Sequence, residues 1–234
     1  DGLEIHHDGD MPGRSGVGSS SAFAVALLLA LSAYRRKNLA HARLAREAIH
    51  VEQVLCGEHG GVQDQITSAH GGFNLIEIDK WGDFELHPLP LSFSYRRAFE
   101  NHFLLGFTGI QRNGSPIAGA TIRAIEHGPA RRALGETMEL TRAAHSLLKA
   151  EGSLSEFGEL LHRGWLCKRE MCEEISNRHI DGIYAKAQSL GAWGGKLCGA
   201  GAGGFILLMA PPELHGELKA GLPADFWHAD VVLA

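Results

Sequence analysis

The chain has 234 residues, enough for one large domain or two modest ones, each with its own core. Apolar residues make up 44% and charged residues 21%, and the formal net charge is -5. This is the balance of an ordinary globular protein, and it argues against a nucleic-acid binder, which carries a basic surplus or stripe. The longest apolar run, Ala22 to Leu31, falls well short of the roughly 20 residues a bilayer needs, so it predicts a buried core helix and no membrane span. Cys56, Cys167, Cys172 and Cys198 show no paired spacing, and the histidines form no HxxxH or HExxH pattern. Reduced thiols in a cytoplasmic protein are the reading that follows.

In chain order, Leu3-Glu4-Ile5-His6 predicts a strand, cut close to its beginning, that runs into a Gly/Ser-rich loop ending at Ser21. A helix follows from about Ser20 to Tyr34. A second runs from about Ala40 to Leu55, with Leu44, Ala48, Val51 and Leu55 on one face at helical spacing. Gln65 to Ala69 predicts a short helix, and Phe73–Ile78 and Phe84–Leu89 predict strands. Pro88 and Pro90 then mark a boundary between domains 1–90 and 91–234. The second half reads as a strand over Phe103–Thr108, helices near 127–150, 153–173 and 177–190, and a Gly-rich loop at 194–204. A strand over Phe205–Met209, a short helix and a final strand over Val231–Leu233 complete it. Strands and helices mix without a regular βαβ period, so the class is α+β.

The loop from Pro12 to Ser21 carries the most chemical information. It is not a Walker A loop, because no lysine follows its glycines, and it is not a dinucleotide GxGxxG. Gly16 and Gly18 offer backbone free of Cβ atoms. Ser19, Ser20 and Ser21 offer hydroxyls at the start of an apolar helix, where unpaired N–H groups and the helix dipole attract anions. A plain serine N-cap after a flexible turn would use the same residues. Gly199 to Gly204 has the same character, with glycines that let another backbone approach closely.

Pro12-Gly13-Arg14-Ser15-Gly16-Val17-Gly18-Ser19-Ser20-Ser21-Ala22 resembles the second motif of the GHMP kinases, and Gly199-Ala200-Gly201-Ala202-Gly203-Gly204 resembles their third. Gly61-Val62-Gln63-Asp64-Gln65, His70-Gly71-Gly72-Phe73-Asn74 and Gly191-Ala192-Trp193-Gly194-Gly195-Lys196-Leu197 are most similar to the bacterial D-glycero-D-manno-heptose 7-phosphate kinases. The resemblance covers nearly the whole chain. It implies a two-domain fold, with a ribosomal S5 domain 2-like N-terminal part and a ferredoxin-like C-terminal domain. It further implies ATP as co-substrate with Mg²⁺, and a small sugar phosphate as acceptor, phosphorylated at its anomeric hydroxyl. Nucleotide contacts are then expected at Pro12, Gly13, Ser15, Gly16, Gly18, Ser19, Ser20, Ser21, Gly199, Gly201 and Gly203. Two departures stand out. Position 202 is Ala, and the family's first motif, an N-terminal strand and Gly-rich segment, is missing. Together with the abrupt first strand, this predicts roughly 80–100 further N-terminal residues in the native protein, within the size of one domain, with Leu3 to His7 as an interior strand.

Asp64, after two glycines at the start of a short helix, reads either as an N-cap or, by the resemblance, as the catalytic base or orienter of the acceptor hydroxyl. At about 100° per residue, Glu52 falls at the edge of the apolar face of its helix and needs a partner there. That partner is an ordinary cation or, by the resemblance, a magnesium ion shared with the Ser20 hydroxyl. The acceptor's phosphate requires a basic pocket. Arg14, Lys168, Arg169 and Lys196 are the candidates, and the sequence does not choose among them.

Overall fold

The computed structural model describes residues 2–9, 13–223 and 228–229. Helix α1, Ser19–Tyr34, starts after Gly18, whose φ of 74° ends the preceding loop in the left-handed region. No side chain caps it, so the serine N-cap reading is overturned: Ser19, Ser20 and Ser21 form its first turn. Helices α2, His41–Ile49, and α3, Gln63–His70, pack beside α1. Ala24, Val25, Leu44, Ala45, Ala48, Ile66 and Ala69 form their common core. A hairpin of β1, Asn74–Ile78, and β2, Phe84–Pro88, closes over it through Ile76, Phe84 and Leu86.

Two expectations for this half need correction. Helix α1 is apolar all round, yet α2 and α3 cover one side of it, and Leu29 is 48% exposed. Leu3 to His7 forms no strand. A strand needs a hydrogen-bonded neighbour, and no described segment pairs with these residues, whose Leu3 and Ile5 are exposed. The second helix also changes character part-way. From His50 to Leu55 its turns widen to π-helix, which turns Leu55 out to solvent instead of onto the Leu44–Ala48 face.

The second half begins with α4, Phe93–Asn101, and continues with β3, Phe103–Phe107, and α5, Ser115–Glu126. The sequence reading missed both helices, although each carries a start signal. The Ser92 hydroxyl accepts the Tyr95 N–H at 3.3 Å, and Pro116 sits in the first turn of α5. Helices α6, Arg131–Lys149, α7, Leu154–Met171, and α8, Arg178–Ser189, follow within a residue or two of expectation, except at the start of α6. Gly191 follows α8 at φ 95°.

Strands β4, Gly194–Leu197, β5, Phe205–Met209, and β6, His228–Ala229, join β3 in an antiparallel sheet of order β4-β5-β3-β6; helix α9, His215–Gly221, lies between β5 and β6. Strand β4 had been read as loop because its glycines hide the pattern. They serve packing: a Cβ on Gly194 would stand 2.0 Å from the Gly158 carbonyl of α7. Trp165, Ile180, Ile183, Tyr184, Leu197, Ile206 and Leu208 are buried between α7, α8 and the sheet. The expected strand at Val231–Leu233 lies outside the described residues. Helices and antiparallel strands are thus combined in an α+β fold.

Candidate active site

The two glycine-rich loops meet backbone to backbone. A Cβ on Gly199 would lie 2.7 Å from Gly16 Cα, and one on Gly16 would lie 2.7 Å from the Cys198 carbonyl. Ser15 is fully buried, and its carbonyl accepts the Phe205 N–H at 2.9 Å, which fixes the first loop to the start of β5. The loops border a cleft of about 910 Å³ that α1, α3, α5, α6 and α7 also line. That is a size suited to small-molecule ligands.

Gly16, Gly18, Ser19, Ser20, Ser21 and Gly199 line this cleft. Gly201 and Gly203 sit behind it, where added Cβ atoms would meet the backbone of Ile175 and Ile110 at 2.7 and 2.8 Å. Their lack of a side chain serves the packing of the loop. Ser15 and Gly13 do not line the cleft, and Pro12 lies outside the described residues.

Glu52 is 7% exposed and has no cationic partner among the described residues, so the ordinary ion-pair reading is set aside. Its carboxylate instead accepts from three uncharged donors: Ser20 Oγ at 2.6 Å, Ser21 Oγ at 2.7 Å, and the amide Nε2 of Gln65. Glu52 thus faces the first turn of α1. Beside it, Gln65 Oε1 is buried without a hydrogen-bond partner. An oxygen-only set with an uncompensated carboxylate fits a hard divalent cation such as Mg²⁺. No group of three or more His, Cys, Asp or Glu suited to a metal occurs among the described residues.

Asp64 lies in the first turn of α3, whose N-cap is Val62 without a side-chain cap, so Asp64 is not a capping residue. It stands against the first glycine-rich loop: a Cβ on Gly18 would be 3.3 Å from Asp64 Cγ. Gln63 Nε2 donates to Asp64 Oδ1 at 3.3 Å. The carboxylate therefore sits between the loop and the cleft.

The opposite wall is cationic. Lys168 of α7 is half-buried, and its Nζ donates to the carbonyls of Leu197, at 3.3 Å, and Gly199. Burial pushes its ammonium down to about 7, and the charges of Lys196 and Arg112 push the same way, while Cys198 and Asp64 oppose them. Arg112, which the sequence reading missed, wedges between the glycine loops, with Nη2 donating to the Cys198 carbonyl at 3.3 Å. Burial lowers its affinity for its proton as well. Lys196 projects from β4 into the same cleft. Arg169 does not belong to this group: it pairs with Asp181 at 3.1 Å and does not line the cleft.

Comparisons with known proteins give the chain's relatives. Residues 1–72 match the family model of the GHMP kinases N terminal domain, and residues 143–226 match that of the GHMP kinases C terminal. The D-glycero-alpha-D-manno-heptose 7-phosphate kinase of Campylobacter jejuni is 30% identical over 228 residues, 93% of this chain and 64% of that protein. A mevalonate kinase of Pyrococcus horikoshii is 28% identical over 218 residues, 90% of this chain and 60% of that protein. The chain thus spans less than two thirds of the length of either relative. In fold it is similar to the crystal structure of a D-glycero-D-manno-heptose 1-phosphate kinase from Bacteroides thetaiotaomicron. That similarity has a TM-score of 0.73 at 24% identity and covers 96% of this chain and 62% of the other.

Proposed function

The chain belongs to the GHMP kinases, and from that premise we propose that it transfers the γ-phosphoryl group of ATP to the anomeric hydroxyl of D-glycero-D-manno-heptose 7-phosphate, giving the 1,7-bisphosphate. The observation that carries this reading is the meeting, in one cleft, of an uncapped helix N-terminus, an uncompensated carboxylate and an aspartate set against the phosphate loop. The choice of acceptor rests on the similarity to the Campylobacter jejuni kinase.

In this reading the triphosphate lies along Gly16, Gly18 and the first turn of α1, where N–H groups and the dipole favour negative charge. Ser20 and Glu52 would hold Mg²⁺, which when bound would offset the phosphates' charge. Asp64 orients the acceptor hydroxyl, whose oxygen bonds to the γ-phosphorus as the bond to ADP breaks. The hydroxyl proton passes to Asp64 or, through water, to bulk solvent. The domains are assigned to residues 1–90 and 91–234, a division that falls between β2 and α4. The free cysteines and the use of ATP favour a cytoplasmic setting.

A substrate panel tests the proposal. Heptose 7-phosphate should give the highest kcat/KM, with ADP released in step with acceptor consumed. Equal or better kcat/KM on galactose, fucose, an N-acetylhexosamine or mevalonate would reject it.

A further inference from the structure

The cations of the cleft are engaged unequally. Lys168 leans on two carbonyls of the second glycine loop, and Arg112 on a third. Arg14 belongs to the phosphate loop itself and lies on the nucleotide wall. Lys196 is different. It is half-buried on β4, the edge strand that pairs with β5 and packs on α7, lines the cleft, and meets no hydrogen-bond acceptor or carboxylate among the described residues. Lys168 feels the repulsion of both Lys196 and Arg112, and Asp64 is the carboxylate whose charge reaches it. Three half-buried cations set against one carboxylate are unfavourable until a further anion joins them.

We propose that Lys196, supported by Lys168, receives the phosphate group that the acceptor already carries, and so selects sugars phosphorylated away from the reacting hydroxyl. This deepens the kinase reading and rests on it. Asp64 and the first turn of α1 line the same cleft as Lys196, and Lys168 is near enough to Asp64 and Lys196 to feel both charges. A sugar phosphate whose hydroxyl lies at Asp64 has the Lys196 ammonium within the same cleft to meet its phosphate. A dianionic phosphate there supplies the missing counter-charge, and the lysine contributes one charge-assisted hydrogen bond. The γ-phosphate of ATP is the competing source of the same chemistry, and the experiment separates the two.

Lys196→Met and Lys196→Arg are compared with the unaltered protein on heptose 7-phosphate and on the same heptose without its phosphate. The ratio of kcat/KM for the phosphorylated over the unphosphorylated acceptor should fall about 10- to 100-fold in Lys196→Met, the value of a hydrogen bond to a charged group. Lys196→Arg should recover most of it. The KM for ATP should stay within about twofold of its original value, as expected where the nucleotide phosphates lie elsewhere. An unchanged ratio, or a raised KM for ATP in place of a changed ratio, overturns the inference while leaving the kinase reading intact. Calorimetric binding of heptose 7-phosphate without turnover covers the converse. Weakened binding in Lys196→Met upholds the phosphate seat even where no transfer is found, and undiminished binding overturns it.

Discussion

On the α1 side of the cleft, Glu52 is gripped by Ser20, Ser21 and Gln65, three neutral donors that leave its charge uncancelled but its position fixed. On the β4–α7 side, Lys168 and Arg112 are gripped by carbonyls, equally neutral, and Lys196 is not gripped at all. Each wall thus carries a charge that the protein positions without neutralising, negative on one side and positive on the other. Such a site is preorganised: ligands arrive at fixed groups and do not wait for side chains to reorient. The negative wall suits a cation travelling with a triphosphate, and the positive wall suits an anion arriving with the acceptor.

The strongest way to break this comparison is to remove the carboxylate that faces both walls. Asp64→Ala should lower kcat by about 100-fold or more, with nucleotide binding retained, as turnover and ATP titration together will show. A near-normal kcat would remove Asp64 from the chemistry and leave the two walls as binding surfaces alone. Next in size is Glu52→Gln, which keeps the shape of the acidic wall and deletes its charge. The Mg²⁺ concentration for half-maximal rate should rise about tenfold; superimposable Mg²⁺ titrations of the two proteins would make Glu52 structural.

The smallest expected effect sharpens the positive wall. Lys168 has a folded-state value of about 7 against an ordinary 10.5, so the folded protein holds fewer protons than the unfolded chain between those limits. The contribution of this group to stability is therefore present above about 10.5 and is lost as pH falls towards 7. An anion bound nearby favours the charged lysine and reverses the shift. Binding of a sugar phosphate at pH 8 should thus take up a fraction of a proton, read as a dependence of the calorimetric enthalpy on the buffer's ionisation enthalpy. Lys168→Met should abolish that dependence, and a dependence that persists would assign the proton elsewhere.

How much of this was legible beforehand depends on the range of the interaction. The glycine loops declared themselves because backbone crowding leaves a dense local signature, and Gly16 and Gly199 do press together. Glu52 was correctly read as facing inward, but by an α-helical wheel, and the same wheel misplaced Leu55, because π turns are imposed by packing that no short window encodes. Arg112 left no signal, since its partner Cys198 is 86 residues away. Helices α4 and α5 were legible in their start signals at Ser92 and Pro116 and were overlooked. Gly201 and Gly203 resembled ligand contacts because a glycine needed for packing and one needed for a ligand look the same in sequence.

The π-helical stretch from His50 to Leu55 works as a phase shift in the winding of the second helix. It takes up more residues per turn than α-helix does, so the chain leaves it out of step with the turns of α2 that precede it. Glu52, early in the stretch, still faces inward as the α period would place it, and the lag shows on Leu55, which turns out to solvent. The length of the chain between His50 and Leu55 therefore sets the direction in which the chain enters the glycine-containing loop ahead of Asp64, where Gln53 Nε2 donates to the Gly60 carbonyl at 3.0 Å. A single-residue deletion there would let the turns rewind to the α period and bring the end of the helix back towards the Leu44–Ala48 face, with every residue of the acidic wall still present.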